Sequence, residues 1–169
     1  MPARHGYPDG MDKSQPLPPQ PASALLQWRL LALLYDLFPA LALWMLVSSM
    51  FTLGYFLAGH APRQNIAPFS PLQLLLWFTC WLVTGAYAVI SWERGGRTLG
   101  MRPWRLRVVD IMGAPAPRRA LVRRYAIGTL SLVVAGMGFW WALFNRDGLT
   151  WHDRASATRM IRSAKNPSP

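Results

Sequence analysis

Arg29 and Asp36 offer chemistry in an unusual place. Both stand where a long apolar stretch begins, Gln27 to Gly59, and from Leu37 to Gly59 that stretch carries no charge. An ionised carboxylate in hydrocarbon costs at least about 2.5–3.5 kcal/mol even on lenient insertion scales, so such a group has a partner or a task. Two tasks fit: holding a small cation or proton, or pairing with a cation on another segment. Seven residues along a helix put Arg29 and Asp36 on nearly one face but roughly 10 Å apart along the axis. A helical Arg also leans toward its own N-terminus, here away from Asp36. The spacing argues against a direct bond and sends each group to a partner elsewhere. Arg29 has a plainer reading as an interfacial anchor. Pro39, three residues past Asp36, removes a backbone donor and can kink the helix, freeing carbonyls beside it.

Other reactive types are sparse. Cys80 is the one cysteine and lies inside an apolar run, which excludes an intramolecular disulfide and a thiolate metal cluster. His5, His60 and His152 have no metal-ligand spacing, so no metal and no cofactor are expected. No nucleophile–base pair is present, and Gly95, Gly96 and Gly100 are too scattered to cradle a phosphate. The residues point away from an enzyme.

The elements that must position Arg29 and Asp36 are membrane helices. The chain has 169 residues, enough for one domain, with 52% apolar and only 15% charged residues. Nine Trp and five Tyr suit two membrane interfaces. The net charge of +11 is concentrated in two places. Residues 93–125 hold nine arginines against two acids, and residues 145–169 hold five basic residues against two acids.

Residues 1–23 are dominated by Pro, Gly, Ser, Gln and charges and read as a disordered tail, as do residues 163–169. The first apolar run is too long and too late for a signal peptide, so it is expected to remain as an anchor. A first transmembrane helix is expected over Leu30–Gly59, with Ser23 as an upstream N-cap, and a second over Phe69–Trp92 after a loop with two prolines. In the second, Thr79, Thr84 and Ser91 can bond back to their own helix, and small Gly85 and Ala88 can admit another helix. Trp104, Leu106 and Val108 alternate with Arg105 and Arg107 as a short strand does, and 112–115 is a turn. A basic helix start follows from Pro117, with Arg118, Arg119, Arg123 and Arg124 expected to face anionic lipid headgroups. The third apolar run, Tyr125–Phe144, is interrupted by Gly136-Met137-Gly138.

The expected fold is an all-α helical membrane domain over 24–162. It has about three transmembrane helices and a basic cytoplasmic loop containing a short strand and turn. The positive-inside rule puts the N-terminus and the 93–125 loop in the cytoplasm. Three plain crossings would then leave the basic tail outside. The alternative is a third run that folds back at 136–138 as a re-entrant segment, returning the tail to the inner face. Pairing of the loop strand with tail residues 158–161 stays open.

Taken together, these residues resemble the RDD family of bacterial membrane proteins, named for one Arg and two Asp. The matching motifs are Arg29-Leu-Leu-Ala32 with Asp36 beyond it, then Thr98-Leu99-Gly100, then Arg107-Val108-Val109-Asp110 with Gly113, and last His152-Asp153-Arg154-Ala155-Ser156-Ala157-Thr158. Met101 stands where the family usually has Lys after the glycine, although Arg102 is adjacent. The resemblance makes Arg29, Asp36 and Asp153 the name-giving residues and implies an integral membrane protein. A transport role is proposed for some relatives, with no substrate supplied. Asp153 becomes a candidate partner for Arg29 if the tail returns to the inner face; its plainer reading is an exposed turn aspartate.

Two functions follow as expectations. One is a small inner-membrane transporter for a cation, coupled to protons, with Asp36 as the intramembrane site; three short spans would need a homo-oligomer to form a pore. The other is a non-enzymatic accessory or scaffold protein whose Arg-rich loop binds anionic lipid or an acidic partner. Nucleic acid is not an expected partner, because the arginines abut the spans and inner-leaflet charge already accounts for them.

Overall fold

A computed structural model describes residues 22–59, 66–134 and 150–162. Two long helices dominate it. Helix α1 runs Ala22–Leu57 and α2 runs Pro71–Gly95. Both pass the length and composition test for a membrane span. They then run β1 (Leu106–Asp110), α3 (Arg118–Val133), α4 (Trp151–Ser156) and β2 (Thr158–Arg162).

The first helix reaches further upstream than the expected Leu30, and already includes Ala22 and Ser23. At 36 residues it extends about 54 Å, far beyond a hydrocarbon core of about 30 Å. Pro39 sits within it. From Leu37 to Leu57 large apolar side chains are exposed on every side, among them Leu37, Phe38, Met45, Met50 and Leu57. A helix apolar all round and uncovered by protein is matched to an apolar solvent. α2 opens on a sequence-encoded cap: Ser70 accepts from the Gln73 amide and Pro71 takes the first position, where its missing N–H costs nothing. It ends at Gly96 with φ 68, the left-handed conformation that favours glycine. The Trp44 indole donates to the Thr84 hydroxyl at 2.8 Å and links the two helices. Thr79 and Thr84 also donate back to Leu75 and Cys80 carbonyls.

A small cap packs against one end of this pair. Its centre is an antiparallel two-stranded sheet with Leu106 opposite Arg162, Val108 opposite Met160 and Asp110 opposite Thr158. The loop strand therefore pairs with the tail. The turn after β1 is shaped by Asp110, whose Oδ1 accepts from the Met112 and Ala114 amides at 2.8 Å, and by Gly113 at φ 85. Beneath the sheet, Leu106, Val108 and Leu121 meet Leu25, Ala32, Val89 and Met101 in one apolar cluster. The basic segment and the start of the third apolar run form a single helix, α3, and not two elements. Tyr125 packs so closely on α2 that a Cβ at Gly85 would lie 2.6 Å from its ring, and its hydroxyl donates to the Trp81 carbonyl at 2.8 Å. The interruption at 136–138, the remainder of the third run and both terminal tails lie outside the described residues.

Candidate functional site

Two clusters of polar groups join the cap to α1, each built on one of its carboxylate partners or carboxylates. The first surrounds Asp36. Its Oδ1 accepts from the Gly100 amide at 2.9 Å and from the Tyr87 hydroxyl at 3.1 Å, and its Oδ2 accepts from the Thr98 hydroxyl. The Tyr87 oxygen in turn accepts from the Leu99 amide at 3.1 Å. The Thr98-Leu99-Gly100 turn is thus wrapped onto α1 and α2 by hydrogen bonds that converge on one carboxylate. Gly100 comes so close that a Cβ there would stand 2.3 Å from the Ala32 carbonyl oxygen and 2.6 Å from the Asp36 nitrogen. Only a residue without a side chain fits that contact. Met101 is buried in the apolar cluster, and its sulfur accepts from the Trp92 indole and the Thr98 amide, both at 3.4 Å. At this position the chain uses a soft, apolar acceptor to anchor the turn.

The second cluster surrounds Asp153, which is 1% exposed. Arg29 donates to its Oδ2 at 2.7 Å and Arg124 to its Oδ1 at 2.5 Å. Arg29 is 5% and Arg124 2% exposed. Thr150 precedes α4 and forms a reciprocal cap: its hydroxyl accepts from the Asp153 amide, and its own amide donates to Asp153 Oδ2 at 3.2 Å. Arg124 also donates to the Thr158 hydroxyl at 2.8 Å and lies 5.8 Å from the centre of the Trp92 ring. Ser156 and Thr158 hydroxyls are 2.6 Å apart, and Ser156 donates to the His152 carbonyl. At the outer edge Arg162 stacks 4.0 Å over Trp28, which packs on Trp104 at 5.1 Å. Tail, loop and α1 are closed together along this seam.

The electrostatics follow from burial. Burial opposes ionisation of Asp153, but the Arg124 and Arg29 guanidiniums outweigh it and hold the carboxyl well below its usual range. For Arg124, burial pushes the guanidinium down, with Asp153 opposing and Arg29 adding to the push. His152 is lowered to about 3, first by burial and then by the Arg124 charge, with Asp153 acting against both. At neutral pH the cluster holds two cations, one anion and a neutral imidazole. A buried carboxylate shared by two guanidiniums is a positional lock: it costs desolvation, and removing one partner strands a charge.

Arg29 and Asp153 are therefore joined across 124 residues of sequence. Asp36 belongs to the other cluster, bonded to Thr98 and Gly100. Asp110 and Gly113 shape the β1 turn. Arg118, Arg119 and Arg123 are exposed, and Arg118 lies 3.8 Å from Glu93 in a solvent-screened pair. Arg124 corrects the expectation for the basic segment. It does not face headgroups; it turns inward, because it lies one residue past Arg123 on α3 and so on the side where Asp153 and Thr158 wait. Tyr87 and Thr150 were not among the expected site residues, and Thr158 stood only as the end of the tail motif. Thr150-x-x-Asp153 is a readable capping signal, since a Thr followed three residues on by an acid at a helix start satisfies two amides. Among the described residues no group of three or more His, Cys, Asp or Glu side chains could hold a metal.

No curated protein and no solved structure matches this chain. The RDD family model matches residues 24–157, from the first described turns of α1 through α4 and so across both clusters. With two apolar helices long enough to cross a bilayer, this is a membrane protein, and the chain belongs to the RDD family.

Proposed function

We propose that this is a small, non-enzymatic, multi-pass protein of the inner membrane that grips the anionic cytoplasmic leaflet with its Arg-rich cap. The observation that carries this reading is where the acids go. Asp36 and Asp153 are spent on internal donors, Asp110 binds its own turn, and among the described residues Glu93 is the one acid paired with an exposed arginine. Arg94, Arg97, Arg102, Arg105, Arg118, Arg119 and Arg123 are exposed. Such a surface attracts anionic lipid by about 1 kcal/mol per residue. In this arrangement residues 37–57 of α1 and the charge-free part of α2 cross the bilayer. The first turns of α1 stand out of it as the spine of the cap, and Asp36 lies at the boundary. The apolar half of α3 dips in, and the pairing of β1 with β2 keeps loop and tail on the cytoplasmic side with the N-terminus.

The same geometry favours this reading over cation transport. Asp36 already receives three donors, and a carboxylate so occupied offers a cation little. The test uses proteoliposomes and detergent-purified protein side by side. Anionic phosphatidylglycerol should raise the thermal midpoint where phosphatidylcholine does not, with the difference lost at high salt. Sodium, lithium or potassium added to liposomes holding a pH dye should move no more protons than in empty liposomes. Cation-dependent proton movement that Asp36→Asn abolishes at normal abundance would overturn the reading in favour of transport.

A further inference from the structure

We infer that the cleft between the start of α3 and the β1–α4 junction is a seat for one phosphate of an anionic phospholipid. The inference rests on the proposed grip on the anionic leaflet and gives it an address. The cleft has a volume of about 550 Å³ and is lined by Asp110, Pro117, Arg119, Arg123, Ser156 and Ala157, among others. Arg119 and Arg123 are one turn apart on α3, so both guanidiniums share one side of the helix.

The other polar side chains of the lining are one acid, Asp110, and the hydroxyl of Ser156. Oδ1 of Asp110 is held by two amides of its own turn, and the Ser156 hydroxyl is bonded to the His152 carbonyl and Thr158. Neither arginine has an acidic partner within 4.0 Å among the described residues, in contrast to Arg118 beside Glu93 and Arg124 on Asp153. Pro117 caps α3 without any side-chain bond, and the first turn contains no acid, so the helix adds its own positive end. Two guanidiniums able to fork onto one group match the tetrahedral oxygens of a phosphate better than a point charge would.

Depth chooses the lipid over a soluble phosphate. Arg124 stacks against Trp92, the last residue of α2 before its charged end. Arg123 is its neighbour, and Arg119 lies about 6 Å further from the apolar half of α3. With the proposed bilayer boundary at Asp36 and Trp92, the two guanidiniums stand at the level of the headgroup phosphates.

The test is a titration of the purified full chain at physiological salt, read as the thermal midpoint. The titrants are dihexanoyl-phosphatidylglycerol, dihexanoyl-phosphatidylcholine and sodium phosphate. Arg119→Gln with Arg123→Gln should raise the half-saturating phosphatidylglycerol concentration at least about tenfold. Arg94→Gln with Arg97→Gln, an equal charge loss past the end of α2, should raise it less than about threefold, since salt screens charges not in contact. Equal weakening by both pairs would overturn the seat and leave the diffuse grip standing. Sodium phosphate acting at the same concentration as the lipid would overturn the lipid assignment. If phosphatidylglycerol and phosphatidylcholine act alike on the wild type, the grip itself fails, and the seat with it.

Discussion

Asp153 accepts from two buried guanidiniums, so its neutral isostere leaves both cations without a counter-charge. Asp153→Asn should cost about 3–5 kcal/mol, the range for stranding a buried charge. Arg29→Met alone should cost less, because Arg124 still holds the carboxylate. Combined, the two changes should be less damaging than the sum of the singles by about 1–3 kcal/mol, measured as unfolding in mild detergent. A simple exchange of Arg29 and Asp153 should not restore stability, because an arginine at 153 would face Arg124. His152 makes a second prediction. Its folded pKa of about 3 lies below the unfolded value of 6.5, so the unfolded chain takes up the proton first. Stability is whole above pH 6.5 and falls by about 1.4 kcal/mol per unit as pH drops from there toward 3. The Asp153 contribution has the same sign but a lower window, lost only below the ordinary carboxylate range. A melting series from pH 7 to 5 should therefore slope downward in the wild type and flatten in His152→Asn.

The long helices were legible in the sequence because charge-free runs of twenty or more residues leave little alternative. The cap was less so. The strand pattern around Leu106 and Val108 could be read, and tail residues 158–161 could be named as its candidate partner but not chosen, since pairing is a long-range choice that a five-residue strand does not announce. Asp36 was visible as a misplaced charge, whereas Asp153 stood out only through the family resemblance. Their partners were split: Arg29 could be weighed against Asp153 because both needed an opposite charge, whereas Arg124 looked like one more basic residue in a basic segment. Thr98 and Gly100 were visible as a motif without a purpose. The structure supplies one, a turn clamped onto α1, and with it a prediction for this element. Gly100→Ala must push a methyl group into the α1 backbone, which cannot yield as a flexible side chain would. It should destabilise the protein by more than the roughly 1 kcal/mol typical of a point change, and lower its abundance in the membrane. Measured beside Asp36→Asn, it should produce the same loss of cap integrity, seen as faster proteolysis between residues 96 and 106.

At the scale of the whole molecule, the apolar hairpin is held by few protein contacts and the cap by many polar ones. Sheet pairing and the two carboxylate clusters fasten loop and tail to the same end of the helices. Single cysteines introduced at residues 97 and 165 in a Cys80→Ser background should therefore label from the same side of the membrane. Labelling from opposite sides would mean that the third run crosses and that the sheet does not form in the bilayer. The Arg29–Asp153 bond also has a bearing on the order of events during synthesis. α1 is made before the cap, with a guanidinium near its N-terminal end, while the acid that answers it lies 124 residues downstream. While those 124 residues are made, the acid on α4 does not yet exist for that cation. The cation is met only when α4 has been made and has packed against α1, so the bond couples synthesis of α4 to closure of the cap. A product that stops before Asp153 would leave Arg29 and Arg124 without the acid they share.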